Sequence, residues 1–331
     1  MPDTYAESSI AADRPRGSDS RPPRPRWQRI AAVAALVAIA VLVAAAGYGY
    51  YRYARIASKL EPTTPGDREA VEAAVDPVVR QPRNEAAKPL YILILGADAR
   101  PGETRSRSDT IILARLDVEE QSMMMLSIPR DSRVPIEGYG LDKINHAHAF
   151  GGPALTIRTV KEFTGLPVNH YVTVDFEGFA ALVDAVGGVT VMVDHPTRTI
   201  PEGLQTLNAE QALEFVRTRS YPDGDFTRIK NQQKFLVAFL RQALRPDNYT
   251  RLPSIAESVA EHVETDMSIP EFLKLARTLA AIGNTIPGYT MPGTTAMIDG
   301  VSYVIPDDEA APELFRQFAA GEVCSGQIGS S

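Results

Sequence analysis

The sequence predicts an α/β domain with a binding site at one edge of its sheet. Three apolar runs have the length of buried strands, and they occupy residues 90–95, 110–117 and 122–128. Asp98 follows the first run, Asp109 precedes the second and Arg130 follows the third. Charged residues at strand ends are typical of the site in an open α/β sheet, so we expect these three side chains to gather.

Size and composition narrow the classes of function. The 331 residues are 44% hydrophobic, enough for one large core or two modest ones. A net charge of -7 argues against nucleic acid as the main partner, while clustered arginines favour a local anionic ligand. Cys324 is the only cysteine, which excludes an intrachain disulfide and a multi-cysteine metal site.

The N-terminal region predicts a membrane anchor. Residues 1–29 are polar and rich in proline and arginine, and we expect a disordered cytoplasmic tail. Residues 30–51 are uncharged and long enough to cross a bilayer as one helix. Arginines on its N-terminal side orient the remainder of the chain to the outside of the membrane. A cleaved signal peptide is the alternative, because Ala44 and Ala46 are spaced like a cleavage site.

The rest of the chain divides into a stalk, a domain and a tail. Residues 52–87 are charged, alanine-rich and interrupted by proline, which predicts a juxtamembrane stalk with a helix at 67–75. The folded domain is expected at 88–310 and a C-terminal tail at 311–331.

Within the domain, apolar periodicity predicts further elements. Helices are expected at 177–186, 255–263 and 270–281, with strands at 169–176 and 189–193. Short strands are expected near Met291 and Tyr303. The pattern after residue 143 predicts two helices broken at Gly151 and Gly152.

The densest charge in the chain surrounds a predicted helix that begins at Asp225. Arg228 and Gln232 lie four apart on one face, near the positive end of that helix. Arg217 and Arg219 lie two apart in an extended segment and would point the same way. Guanidinium groups that converge at a helix N-terminus suit a doubly charged phosphate group, whereas a solvated charged face is the simpler alternative.

Two aspartates are candidate metal ligands. Asp98 and Asp109 offer only oxygen, which suits a hard cation such as Mg²⁺ completed by water and substrate phosphate. Asp98 could instead cap a turn and Asp109 could be solvated. His146 and His148 are two apart and would not share a helix face, so packing or capping is the expected role for both.

Nine ordered blocks of sequence resemble one protein family. The chain is similar to the LytR-CpsA-Psr proteins of the bacterial envelope over roughly residues 90–245. The blocks are LGADAR (95–100), RSDT (107–110), SIPRD (127–131), KINHA (143–147), FGGP (150–153), FEGF (176–179), VGGV (186–189), EQALxxVRxR (210–219) and GDFxRIxxQQ (224–233).

This resemblance implies a three-layer α/β/α domain with a central mixed sheet and an apolar pocket for lipid. It also implies transfer of a glycopolymer from a polyprenyl-pyrophosphate carrier to a hydroxyl of peptidoglycan. Arabinogalactan, teichoic acid and capsule all remain possible polymers. We expect the pocket walls to come from residues 155–163, 179–186 and 235–244.

The resemblance also implies roles for individual residues. Asp98 and Asp109 match the ligands of Mg²⁺, for which Mn²⁺ is a substitute. The remaining matches form a pyrophosphate clamp: Arg107, Arg130, Arg217, Arg219 and Arg228, supported by Asp225 and Gln232. The residues expected to take part in catalysis are Asp98, Asp109, Arg130, Arg217 and Arg219. The general base is open, because a metal-bound alkoxide needs none.

Two other functions fit the same residues. A polyprenyl-pyrophosphate phosphohydrolase would use water in place of the sugar hydroxyl. A non-catalytic lipid-binding envelope protein, of the kind labelled a transcriptional regulator, would show no metal-dependent turnover. The 29 residues on the cytoplasmic side are too short for a helix-turn-helix, which disfavours direct regulation of transcription.

Overall fold

The structure is a computed structural model that describes residues 51–61, 64–78, 88–98, 106–219, 225–248, 260, 262–282 and 286–324. The chain divides into two compact units, residues 1–52 and 53–331, and all elements named here belong to the second. Within the described ranges, no helix has both the length and the apolar character of a membrane span. The predicted tail at 1–29 and, apart from Tyr51, the predicted span at 30–51 lie outside those ranges.

A mixed sheet of six strands forms the centre of the second unit. In order across the sheet the strands are β10 (Gly288–Thr290), β3 (Ser122–Ser127), β2 (Arg107–Asp117), β1 (Leu90–Asp98), β6 (His170–Val174) and β9 (Val263–Thr265). Strand β2 is antiparallel to β1 and β3, whereas β1 is parallel to β6 and β3 is parallel to β10. The mixed character of the sheet agrees with the prediction.

Three two-stranded ribbons complete the β-structure of the described residues. They are β4 (Arg133–Ile136) with β5 (Gly140–Lys143), β7 (Val189–Val193) with β8 (Gly203–Leu207), and β11 (Gly293–Ile298) with β12 (Val301–Pro306). The helix predicted at 255–263 lies mostly outside the described residues, and its last residue begins β9.

Several helices begin at a residue whose side chain caps the first turn. The labelled helices are α1 (Pro65–Ala74), α2 (His146–Thr164), α3 (Phe176–Ala185), α4 (Ala209–Arg217), α5 (Asp225–Ala243), α6 (Ile269–Ala281) and α7 (Ala310–Ala320). The Asp175 carboxylate accepts a hydrogen bond from the amide of Gly178 at 2.7 Å and so caps α3. Helix α2 is interrupted at Gly151 and Gly152, as predicted, and the φ of +63° at Gly152 favours glycine.

One face of the sheet, the closed face, is fully packed. Its side chains alternate along the strands, and Leu93, Leu95, Leu113 and Leu126 have no exposed surface. Helix α2 covers them with Ile157 and its neighbours. This face holds the largest core of the described residues.

Two predicted boundaries are wrong because short helices join the closed face. Val71 of α1 is buried in this core, so the predicted stalk at 52–87 contributes to the domain. Helix α7 buries Phe315 and Phe318 there, so the predicted tail at 311–331 begins inside the fold. Both helices present only a few apolar side chains among alanines, and the sequence pattern was correspondingly weak.

The opposite face, the open face, packs against α5 and α6. Ile92, Ile112 and Met125 of the sheet belong to its core. A second small core lies where the β7–β8 ribbon meets α3, α4 and α5, and every other residue of β7 is buried in it. Packing between these helices and the sheet is incomplete and leaves a cavity.

Candidate active site

Strand direction brings the predicted charged residues to one edge of the sheet. Because β2 is antiparallel to β1 and β3, its first residues lie beside the last residues of both. The backbone of Asp98 pairs with Arg107. Arg130 follows β3, and its Nη1 lies 2.6 Å from Oδ1 of Asp109. The strand ends therefore meet as the pattern indicated, although the Asp98 side chain lies outside the described atoms.

A β-bulge turns Asp109 toward the cavity. Gly96 pairs with Thr110 and Ala97 pairs with Ser108, so Asp109 is the extra residue on β2. An added Cβ on Gly96 would lie 3.0 Å from Cβ of Thr110, which explains the glycine at this close approach. Bulges of this kind often redirect a side chain beside an active site, and Asp109 does line the cavity.

Two helix ends supply three of the predicted arginines. Arg217 closes α4, and its Cζ stands 4.3 Å from the ring centroid of Phe176. At the start of α5, Nη2 of Arg228 lies 2.9 Å from Oδ2 of Asp225. Nε of Arg219 lies 3.6 Å from the other oxygen of the same carboxylate. Asp225 therefore holds two guanidinium groups side by side.

Side-chain amides of α5 fix the end of α4. Asn231 donates to the carbonyl of Phe215, and Gln232 donates to that of Val216, each at 3.3 Å. These carbonyls lie immediately before Arg217, so the two bonds set its position. Gln232 also lines the cavity, and its amide N–H is engaged in this structural bond, so its ligand role stays a prediction. Asn231 was not predicted, because its partner is a backbone atom distant in sequence.

A buried glutamine anchors α5 to the sheet. Gln233 is 6% exposed, and its Nε2 donates to the Ser127 hydroxyl at 2.8 Å and to the Tyr289 carbonyl at 2.9 Å. Strands β3 and β10 are thereby tied to the helix that carries Arg228. The two neighbouring glutamines of the sequence thus bind different elements: Gln232 bonds the end of α4, and Gln233 bonds the sheet.

The positive charge of Arg228 is only partly compensated by its surroundings. Arg228 is only 3% exposed, and burial lowers its pKa to about 10 even though Asp225 attracts its charge. Arg130 and Arg219 repel it and lower the pKa further. Among the described residues, the buried Nε atoms of Arg228 and Arg130 have no hydrogen-bond partner. A buried donor without an acceptor is costly, so an entering anion would be stabilised here.

Arg130 has a different balance of charge. Burial alone would lower its pKa, but the carboxylates of Asp109 and Asp131 raise the pKa overall. Lys143 donates to Asp131 at 2.9 Å, so this carboxylate serves two cations. The interaction of Lys143 with Asp131 was not predicted, although both residues stand in blocks quoted for the family resemblance.

The charge at the edge is positive overall. Arg130, Lys143, Arg217, Arg219 and Arg228 carry five positive charges, and the three aspartates paired within this cluster, Asp109, Asp131 and Asp225, carry three negative ones. The excess matches a ligand with two negative charges. Arg107, predicted to join this clamp, is exposed and is not among the described residues lining the cavity.

An apolar cavity of about 350 Å³ adjoins these charges on the open face. Its wall residues are mainly hydrophobic, among them Ile94, Ile112, Phe179, Leu182, Phe235, Leu236 and Phe239. Asp109, Arg217, Arg219 and Arg228 also line it. The predicted walls at 179–186 and 235–244 are present, but 155–163 is wrong, because α2 lies on the closed face.

The remaining titratable candidates have structural partners. Nδ1 of His146 lies 2.8 Å from the Asp142 carboxylate, and Nδ1 of His148 lies 2.6 Å from the Ser106 carbonyl. Across the described part of the chain, no three or more His, Cys, Asp or Glu side chains are grouped to hold a metal by themselves.

Charged and apolar features meet in one pocket. A ligand that fills it would have a doubly charged head among the arginines and a hydrocarbon part in the cavity. Such an amphiphile gains both charge-assisted hydrogen bonds and burial of apolar surface.

Known proteins share this architecture. The structure is similar to the crystal structure of B. subtilis TagV, with 31% identity and a TM-score of 0.63 over 72% of this chain and 99% of that one. It is also similar to a structure of TagT bound to LI-WTA, with 28% identity and a TM-score of 0.62 over 74% of this chain and 95% of that one.

Sequence comparison gives the same relationship. A protein of Halalkalibacterium halodurans, named as the polyisoprenyl-teichoic acid--peptidoglycan teichoic acid transferase TagU, is 34% identical over 279 residues. The match covers 80% of this chain and 89% of that protein. The model of the LytR_cpsA_psr family matches residues 48–319, which include the sheet edge, the arginine cluster, helix α1 and all but the last residue of α7. The chain is a member of the LytR_cpsA_psr family.

Proposed function

We propose that this chain transfers a glycopolymer from a polyprenyl-pyrophosphate carrier to a hydroxyl of peptidoglycan. The observation that carries the proposal is the direct junction of an arginine cluster with an apolar cavity. A polyprenyl pyrophosphate has a charged head that suits the arginine cluster and a hydrocarbon tail that suits the cavity. The related transferase named for polyisoprenyl-linked teichoic acid supports the same donor and acceptor.

The reaction is a phosphoryl transfer in which the protein supplies position and charge. The acceptor hydroxyl attacks the glycan-side phosphorus, the bond to the bridging oxygen breaks, and polyprenyl phosphate leaves. The buried Nε–H of Arg228 has no hydrogen-bond partner among the described residues, and Nε of Arg130 has only the Asp131 carboxylate at 3.5 Å, so both can donate to phosphate oxygens. Arg217, held against Phe176, neutralises charge that builds on the leaving group.

A divalent cation would assist at the sheet edge. Asp109 fits this role because it lines the cavity and uses one described oxygen for Arg130, and Asp98 lies on the neighbouring strand end. Mg²⁺ or Mn²⁺ held there would act as a Lewis acid on the phosphate oxygens. We expect EDTA to abolish transfer and Mg²⁺ or Mn²⁺ to restore it.

Membrane attachment follows from the donor and from the N-terminal sequence. Residues 30–51 would anchor the chain once, with the N-terminus in the cytoplasm and the catalytic domain outside. A reporter active only outside the cytoplasm, fused after residue 331, should be active. The same reporter fused after residue 29 should be inactive, and the reverse pattern would refute this orientation.

The test of function is a reconstituted transfer. The full-length chain in lipid nanodiscs is incubated with lipid-linked glycopolymer, purified peptidoglycan and Mg²⁺. Wall-bound glycan and free polyprenyl phosphate should appear in equal amounts. Free glycan phosphate without wall-bound glycan would instead identify a phosphohydrolase, and no release of either product would exclude catalysis.

Variants and donors sharpen this test. Arg217→Ala or Arg219→Ala should abolish transfer while the chain still folds and reaches the membrane. A panel of teichoic acid, arabinogalactan and capsule donors would identify the polymer. The teichoic acid donor is the first choice, because it is the substrate in the name of the relative.

A further inference from the structure

We propose that an aromatic platform on the closed-face side of the sheet edge binds a sugar ring of the acceptor glycan. The platform consists of Tyr139 at the tip of the β4–β5 ribbon, with Phe150 and His146 of α2. The inference rests on the proposed function, because it identifies where that reaction takes its acceptor.

Two of the three rings are stacked, the third meets one of them edge-on, and the outer ring has an exposed face. The ring centroids of Tyr139 and Phe150 are 4.2 Å apart at an angle of 13°, and His146 meets Phe150 edge-on at 5.7 Å. Tyr139 is 55% exposed, so one side of its ring lies on Phe150 and much of the rest faces solvent. Stacking on Phe150 fixes the plane of the exposed ring.

The turn at the tip is built to hold Tyr139 outward. Gly138 and Gly140, on either side, have φ values of +80° and +78°, which other residues adopt only with strain. The Tyr139 amide donates to the Ile136 carbonyl at 2.9 Å. Val134 and Ile136 are buried in the closed-face core and anchor the ribbon. The ribbon is therefore a fixed support for one exposed aromatic side chain.

A short series of contacts joins the platform to the arginine cluster. His146 contacts Asp142 at 2.8 Å, and the adjacent Lys143 donates to Asp131 at 2.9 Å. Asp131 lies 3.5 Å from Nε of Arg130, which pairs with Asp109. The platform is thus connected to the arginine cluster through Asp142 and Lys143 of β5.

The direction from which the acceptor hydroxyl attacks phosphorus favours the closed-face side of the sheet edge. In an in-line displacement the attacking and leaving oxygens lie on opposite sides of phosphorus. The cavity that would hold the leaving polyprenyl phosphate is on the open face, whereas Val134 and Ile136 bind the ribbon to the closed face. An acceptor on the platform would therefore approach from the side opposite the leaving group.

The chemistry of the platform suits an uncharged sugar. An exposed aromatic ring offers an apolar face for the C–H surface of a pyranose, and neighbouring polar groups can bond its hydroxyls. Leu141, also 55% exposed, extends the apolar surface. Glu137 pairs with Arg158 at 2.7 Å, so the nearby charges compensate each other. A glycan strand fits this surface better than a strongly charged polymer.

The first test separates acceptor from donor. In the reconstituted transfer, Tyr139→Ala should raise KM for a soluble uncrosslinked peptidoglycan oligosaccharide roughly tenfold, the loss expected for one aromatic contact. The donor KM should not change. Tyr139→Phe and Tyr139→Trp should keep the acceptor KM, because the ring face makes the contact. Phe272→Ala, which removes another ring that is 51% exposed, is the matched control and should have no effect.

The second test needs no turnover. Binding of the same oligosaccharide to the full-length chain in nanodiscs, measured without donor, should weaken roughly tenfold in Tyr139→Ala and remain in Tyr139→Phe. Equal binding by wild type and Tyr139→Ala would overturn the platform, as would an equal loss with Phe272→Ala. If wild type binds the oligosaccharide but transfers nothing, the platform stands and the proposed function fails.

Discussion

The two faces of the central sheet differ in packing although both are covered by helices and built from similar side chains. On the closed face, Leu93 and Leu126 are completely buried beneath α2. On the open face, Ile94 and Phe239 border a cavity of about 350 Å³. The closed face stabilises the fold, whereas the open face leaves apolar surface for a ligand to cover.

Buried arginines differ in the same way. Arg115 on the closed-face side bonds the Ala319 carbonyl at 3.3 Å and lies 3.5 Å from Asp117. Arg228 has one carboxylate partner, two repelling arginines and a buried Nε–H without a described partner. Arg115 thus has a structural role in an ion pair, whereas Arg228 retains a donor that can bind an anionic ligand.

The largest effect is expected when each of these two buried arginines is replaced by methionine. Arg228→Met should reduce transfer about 10³-fold, the scale of losing an arginine that stabilises phosphoryl transfer. The free energy of unfolding without ligand should stay the same or rise, because a buried charge is removed. Arg115→Met should do the opposite: it leaves Asp117 unpaired, lowers the free energy of unfolding by about 1–3 kcal/mol and preserves transfer. Chemical denaturation and initial rates measure both, and a large loss of stability in Arg228→Met would contradict this assignment.

The next effect concerns added volume. Leu182→Phe on the cavity wall should raise the free energy of unfolding by about 0.5–2 kcal/mol, because the new ring fills part of the cavity. It should also raise the donor KM, because the ring occupies space that the polyprenyl tail of the proposed donor would fill. Leu93→Phe in the closed core should instead cost about 1–3 kcal/mol through overpacking. Equal destabilisation by both changes would show that the open face is as tightly packed as the closed one.

A smaller effect is expected from the buried amides. Asn231→Ala removes the bond to the Phe215 carbonyl and should lower kcat several-fold with little change in the acceptor KM, because Arg217 loses its fixed position. Asn169→Ala is the matched change immediately before β6, where Asn169 Oδ1 accepts from the Tyr91 amide at 2.9 Å. It should lower the free energy of unfolding by about 1 kcal/mol and leave kcat unchanged. An unchanged kcat in Asn231→Ala would contradict the proposal that Asn231 positions Arg217.

The smallest effect depends on pH. Burial alone would raise the pKa of Asp131, but the Lys143 hydrogen bond and the charge of Arg130 lower it overall. A carboxylate with a lowered pKa stabilises the fold above its unfolded pKa near 4, and that stabilisation is lost as pH falls through the folded pKa. Asp131→Asn should therefore reduce the loss of stability as the pH falls below about 4, as measured by urea denaturation. An identical pH dependence in wild type and variant would contradict this contribution.

The sequence predicted the sheet better than its surroundings. Strands β1, β2 and β3 were found because their apolar runs are long and end in charged residues. The β4–β5 ribbon was missed because Pro135 interrupts a very short pattern. Residues 155–163 were assigned to the cavity because helical periodicity identifies an apolar face but not which face of a sheet it covers.

The site was partly predictable for similar reasons. Arg217, Arg219 and Arg228 are close in sequence, and helical spacing sufficed to bring them together. The contact of Arg130 with Asp109 depends on strand register, which the motifs did not contain. The exposure of Arg107 depends on its place at the start of β2, and the amide bond from Asn231 depends on the packing of α4 against α5; neither can be read from the motifs.

The most direct test is calorimetric binding of a C20 prenyl pyrophosphate to the full-length chain in nanodiscs. The two-part site predicts that this ligand binds at least tenfold more tightly than inorganic pyrophosphate or the matching prenyl alcohol, and that Arg228→Met removes the advantage over the alcohol. An affinity no greater than that of inorganic pyrophosphate would show that the cavity does not hold the tail. Unchanged binding in Arg228→Met would show that the arginine cluster does not hold the head.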